Sequence, residues 1–212
     1  MLSRSLPMTA CAIVALLGLA GCGTSPATRF YTLASLQTGP GQSATEVAEP
    51  RGVIVVGPVE LADYLHRPQI VRRNEATRIE LLEQDHWAGS LQNDLARVLT
   101  DNLAKLLAPA GYLVIPWEET ALADKRIHVS VTRLEATGQE SVLLSSLWTL
   151  FGKERQILAS GHASLVEPVS SAGTAGIVEA MSRTLAELSR RIAREVTHGE
   201  TVAGDPETGT AW

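Results

Sequence analysis

Two long amphipathic stretches constrain this fold more than anything else in the sequence. In the first, Trp87, Leu91, Leu95, Val98, Leu99, Leu103 and Leu106 recur at spacings of three and four, which is one apolar stripe of a helix. Trp87-Ala88 is its expected opening and Asp85 its expected cap. Pro109 and Gly111 stop it. In the second, roughly residues 176–196, Ile177, Met181, Leu185, Leu188, Ile192 and Val196 form the apolar face. The segments around them read as strands. Arg29–Leu33 is strand-like, and Gly52–Gly57 is a short apolar, β-branched run. Pro58–Arg67 reads as a loop, Gln69–Arg72 and Arg78–Leu82 as strands, and Tyr112–Ile115 as another. Ile127, Val129 and Val131 alternate with His128, Ser130 and Thr132, the pattern of a half-exposed strand. Ser141–Leu150 and Gln156–Val166 flank a polar turn and predict a hairpin. Two helices cannot cover both faces of such a sheet. The expected fold is α+β: a mixed, mainly antiparallel sheet with two long helices packed on one face. The other face is left wet or free to meet a partner.

Packing alone must hold this fold. The chain has 212 residues and two cysteines, Cys11 and Cys22, both near its start. Residues 1–21 have the form of a removable leader, so the mature chain keeps one cysteine and no internal disulfide. A single domain over 29–196 is large enough to bury a core without staples. Residues 34–50, rich in Gly, Ser, Thr, Ala and Pro, read as a flexible connection, and 197–212 as a disordered tail. The net charge is −5, with no basic stripe and no zinc-finger spacing, which argues against nucleic acid as a partner.

The leader has one positive charge, Arg4, ahead of an uncharged apolar run from Met8 to Ala20. That run is short for a membrane span, which needs about 20 residues. It ends in Leu19-Ala20-Gly21-Cys22, which resembles the lipobox of bacterial lipoproteins. The resemblance implies a diacylglyceryl group on the Cys22 thiol, cleavage after Gly21, and acylation of the new amine. Small residues at Ala20 and Gly21 suit a narrow peptidase site. Several acyl chains anchor firmly, since each buried CH₂ contributes about 0.8 kcal/mol. Residues 22–28 would then be the lipidated tether. Gly23, rather than Asp, follows the cysteine, which favours the outer membrane under the enterobacterial sorting rule.

No catalytic constellation stands out. His66, His86, His128, His162 and His198 show no metal-ligand spacing, and neither a metal nor a bound cofactor is expected apart from the covalent lipid on Cys22. Gly161-His162-Ala163-Ser164-Leu165 misplaces the serine and second glycine of a nucleophile elbow, and reads as strand. Gly173-Thr174-Ala175-Gly176 lacks the lysine of a phosphate loop and reads as a cap or turn. Glu118-Glu119 reads as a solvated loop. The unusual stretch is Gly57–Arg72. It puts Leu61, Tyr64 and Leu65 beside Arg67 and Pro68 between two strands, where they either plug the end of the core or form a docking surface for a partner.

That stretch, with the lipobox, the Phe30-Tyr31-Thr32-Leu33 strand, the Val53–Val56 strand and Trp87-Ala88 ahead of Leu91, Leu95 and Leu99, resembles the ABC-type transport auxiliary lipoproteins, the PqiC/YmbA-like group. Tyr64–Val71 (Tyr-Leu-His-Arg-Pro-Gln-Ile-Val) is its most specific part. The resemblance spans most of residues 15–196. It implies a non-enzymatic protein on the periplasmic face of the outer membrane, docking a periplasmic protein with mammalian-cell-entry (MCE) domains in an intermembrane lipid transport system. Alternatives are a lipid-binding carrier, which needs a sizeable apolar cavity, and a periplasmic hydrolase, which no motif supports. Self-association is left open.

Overall fold

The computed structural model describes residues 27–37, 51–117 and 123–203. The leader, Cys22, most of the tether, residues 38–50, Glu118-Glu119 and the tail from 204 onward lie outside the described residues. Among the described residues are eight strands: β1 (Arg29–Tyr31), β2 (Gly52–Leu61), β3 (Gln69–Glu75), β4 (Arg78–Trp87), β5 (Tyr112–Pro116), β6 (Lys125–Thr137), β7 (Ser141–Phe151) and β8 (Ile157–Pro168). Two helices, α1 (Leu91–Leu107) and α2 (Gly173–Ala203), complete the fold with two short 3₁₀ turns, Asp63–Leu65 and Ala108–Ala110.

β6 is the spine of the sheet. One of its edges pairs antiparallel with β7 along almost its whole length, and β7 pairs likewise with β8. Its other edge is shared. The first half, Lys125–Val131, runs parallel to β2, while Ala136 and Thr137 run parallel to β3. The sheet therefore forks. One prong is β2–β5, parallel, and the other is β3–β4–β1, antiparallel and then parallel. The long pairings are the antiparallel ones, so the sheet is mixed and mainly antiparallel, as the sequence predicts.

The alternation of β6 and β7 puts Ile127, Val129, Val131, Val142, Leu144, Trp148 and Leu150 on the buried face. Helix α1 packs there on β2 and β5, α2 packs on β7 and β8, and the two helices pack on each other. Leu91, Leu95, Val98, Leu99, Leu103 and Leu107 of α1 meet Ile177, Met181, Leu185, Leu188, Ile192 and Val196 of α2 in one core. Leu107, rather than Leu106, closes the α1 stripe. Gly111 ends the turn after α1 at φ +82°, a conformation that costs glycine little.

Four local expectations are corrected. Trp87 does not open a helix: it is the last residue of β4, and Ser90 caps α1, its side chain accepting from the Asn93 N–H. β2 continues through Pro58 to Leu61, where a loop is expected. Helix α2 runs on to Ala203, through the first part of the expected tail. Residues 34–37, expected to be flexible, are stitched to both helices. The Ala34 N–H donates to Ser182 Oγ at 3.1 Å and the Leu36 N–H to Asn102 Oδ1 at 2.7 Å.

Asn102 is fully buried, and its amide also donates to Ser189 Oγ at 3.3 Å. It therefore joins three segments through one side chain. Asn102→Ala leaves the Leu36 N–H without its acceptor and opens a small void between the helices. The expected loss is about 2 kcal/mol, read as a lower midpoint in urea with unchanged slope.

Candidate docking surface

The Tyr64–Val71 segment folds into the fork. The β2 ladder leaves β6 at Val131, and Ala62 N–H still reaches the Val131 carbonyl at 3.0 Å. The chain then makes the 3₁₀ turn Asp63–Leu65 and returns as β3, whose Ile70 and Val71 are buried. The turn thus fills the gap that opens where β6 changes partners. Leu65, 1% exposed, drops into the core, and Leu61 packs against it half-buried. Leu65 is therefore part of the core, while Leu61 keeps part of its surface exposed.

Tyr64 turns to a different neighbour. Its ring packs on the edge of the core and its hydroxyl donates to Glu135 Oε2 at 2.9 Å. Glu135 has no exposed surface at all. Arg73 Nε donates to its Oε1 at 2.5 Å and Arg133 Nη2 to the same oxygen at 2.7 Å. Burial works against ionisation of Glu135, but the hydrogen bonds from Arg73, Arg133 and Tyr64 outweigh it and hold its carboxyl below the usual carboxylate range. Burial, followed by the bond to Glu135, pushes the Tyr64 hydroxyl up to about 12. The cluster is a closed set of paired charges that locks β3 to β6. It offers no free group for catalysis.

Arg67 and Pro68 remain exposed. The Pro68 carbonyl accepts the Trp87 N–H at 2.7 Å, which fixes this loop against the end of β4. Of the five candidate docking residues, these two are exposed, while Leu61 and Tyr64 are half-buried and Leu65 is buried.

The histidines are dispersed. His66 is exposed beside Arg67, and His86 meets the Phe30 ring edge-on. His128 lies 3.5 Å from Glu60, His162 is exposed on β8, and His198 is exposed on α2. Among the described residues, no three His, Cys, Asp or Glu side chains gather as a metal site. Gly161–Leu165 is strand, and Gly173–Gly176 is the first turn of α2. Thr174 of that turn donates to Asp85 Oδ2 at 2.7 Å. Asp85, expected to cap a helix, instead accepts both Thr174 and Arg29 and so ties β1, β4 and α2 together. Sequence reasoning missed this role because the Arg29 partner lies 56 residues away.

The sheet face away from the helices is open over β7 and β8. Leu147 is 52% exposed and Val166 64%, among Ser145, Thr149, Ser160, His162 and Ser164. The cleft of about 430 Å³ between α1 and the β2–β5 prong is open-sided and mixed, with Gln92, Arg97 and Asp101 facing Val56, Pro58 and Trp117. No helix among the described residues is long and apolar enough to cross a membrane.

Known structures share this architecture. The chain superposes on the crystal structure of an uncharacterised protein with a TM-score of 0.67 at 21% identity, covering 80% of this chain and 99% of the other. It superposes on protein XCC0632 from Xanthomonas campestris, of family DUF330, with a TM-score of 0.64 at 16% identity, covering 83% and 98%. These likenesses define a shared α+β fold. Among curated proteins, no sequence relative matches. Residues 31–193 match the family of the ABC-type transport auxiliary lipoprotein component. The chain belongs to that family of lipoproteins, which is a family of auxiliary transport components and not an enzyme family.

Proposed function

We propose that this protein is a lipid-anchored adaptor on the periplasmic face of the outer membrane, where it docks an MCE-domain protein of an intermembrane lipid transport system. The observation that carries the reading is the family match over residues 31–193, set directly behind the Leu19-Ala20-Gly21-Cys22 motif. Cleavage after Gly21 and acylation of Cys22 give the anchor, and Gly23 favours outer-membrane delivery. The contribution of the domain is positional. Its buried charges are already paired at Glu135 and Asp85, which leaves a rigid body whose exposed loop, Arg67-Pro68, and open β7–β8 face are available to a partner. Tethering raises the local concentration of that body at the membrane, so modest contacts suffice.

The test is Cys22→Ala in the full chain. The variant is expected to fold with the circular dichroism of the parent while leaving the membrane pellet for the soluble fraction. Retention in the pellet with full transport function would overturn the reading. A pull-down with the lipidated chain, followed by identification of an MCE-domain partner, tests the second half of the proposal.

A further inference from the structure

The point where the tether meets the fold is fixed. Arg29 opens β1 and holds Asp85 with two nitrogens, at 2.6 and 2.9 Å. Thr174 holds the same carboxylate from α2. Cys22 precedes Arg29 by seven residues, a span of at most about 25 Å when fully extended. With lipid on Cys22, as proposed above, this edge of the domain stays within that distance of the bilayer.

The surface there presents an exposed aromatic ring. Phe30, the next residue, is 65% exposed, and its ring stands edge-on to His86 with centroids 6.1 Å apart. The register runs from Phe30 to His86 of β4 and on to Gln69 of β3, directly after Arg67 and Pro68. Arg67 is exposed and makes no ion pair with another described residue. His66 is exposed beside it, and the exposed acids of β2, β3, β4 and the turn between β2 and β3 are Glu60, Asp63, Glu75 and Glu83, of which Glu60 faces His128 and Glu75 faces Arg78. Phe30 lies on β1, at one edge of the sheet, while exposed Leu147, Ile157, Leu158 and Val166 lie on β7 and β8 toward the other.

We propose that this edge is a second membrane contact: the Phe30 ring seats in the interfacial layer of the bilayer that holds the anchor, and Arg67 meets its phosphate headgroups. The inference rests on lipidation of Cys22. Phe side chains on a membrane-facing surface bury in the headgroup–acyl boundary of a bilayer. A short tether makes the contact intramolecular, so one ring can orient the domain where it could never recruit a free protein. The domain then stands with β1 toward the lipid and the β8 edge away from it.

The test uses full-length Phe30→Cys, processed and lipidated in cells, labelled at position 30 with an environment-sensitive nitrobenzoxadiazole probe. Ile157→Cys, 66% exposed on β8, is the control. Each is reconstituted into phosphatidylethanolamine–phosphatidylglycerol vesicles. Floating vesicles with a blue-shifted probe at 30, quenched by doxyl lipid, and a water-like probe at 157 support the proposal. Floating vesicles with equally wet probes overturn it and leave the anchor standing. A blue shift at 30 before any lipid is added assigns the ring to a protein contact and also overturns it. A chain that does not float overturns the anchor and the inference together.

Discussion

Leu65→Asp is expected to unfold the domain or leave it on the edge of unfolding. Leu65 is 1% exposed and lies in the core at the fork of the sheet. The substitution loses the transfer energy of a buried leucine, about 2–5 kcal/mol with its cavity term. It also places a carboxylate in the apolar core, which adds several kcal/mol or forces protonation. The sum is comparable with the whole stability of a typical domain, about 5–15 kcal/mol. Leu65→Met keeps the volume and is expected to cost less than about 1.5 kcal/mol. Thermal unfolding of the pair decides the matter. An Asp variant that melts with the parent and fails only in partner binding would restore Leu65 to a docking surface.

The same loop shows what periodicity can reveal. Both helical stripes were legible because their core contacts repeat every three or four residues, a local pattern that tertiary contacts only complete. The alternation of β6 and the β7–β8 hairpin were legible for the same reason at period two. What failed was non-local. Trp87 sits four residues before Leu91 and so mimics a helix position, but Asp85–Trp87 pair with β1, more than fifty residues earlier. Pro58 reads as a strand breaker, yet it falls at the register shift between Val56 and Val59, where the ladder to β6 is already interrupted. Arg67 and Pro68 are exposed, while Tyr64 and Leu65, adjacent in sequence, go to a charge cluster and to the core. A loop's composition gives its chemistry, but the direction of each side chain depends on where β6 changes partners. Glu135 was invisible for a related reason. It stands between buried Leu134 and Ala136, and its partners Arg73 and Tyr64 are 62 and 71 residues away.

Glu135 carries the second large prediction. Glu135→Gln keeps the shape but removes the charge that two guanidinium groups and a phenol surround. Arg73, whose side chain is only 16% exposed, then loses its counterion in a poorly solvated place. The expected cost is about 2–3 kcal/mol, below the figure for a wholly buried pair because Arg133 remains 40% exposed to water. For a domain of this size that lowers Tm by roughly 4–12 °C at neutral pH. The effect must depend on pH, with a definite sign. The folded-state carboxyl of Glu135 titrates below its unfolded value, near 4.3. Its stabilisation is therefore complete above about pH 5, and it is lost as pH falls through the folded value. Asp85, held below its ordinary range by Arg29 and Thr174 against the cost of burial, acts in the same direction. The parent and the Gln variant should thus differ most at neutral pH and converge on acidification, with the slope left in the variant coming from Asp85 and the remaining carboxylates. At the alkaline end the sign reverses. Tyr64 is neutral in the fold and titrates at about 12, so its contribution is intact below about pH 10 and disappears as pH rises through 12. Tyr64→Phe should flatten that alkaline limb and, by removing one of the three sets of hydrogen bonds that hold the Glu135 carboxyl down, weaken the acid one only in part. Two stability curves, one per variant, therefore separate the carboxylate from the phenol, and parallel curves across the acid range for parent and Gln variant would show that Glu135 is not charged in the fold.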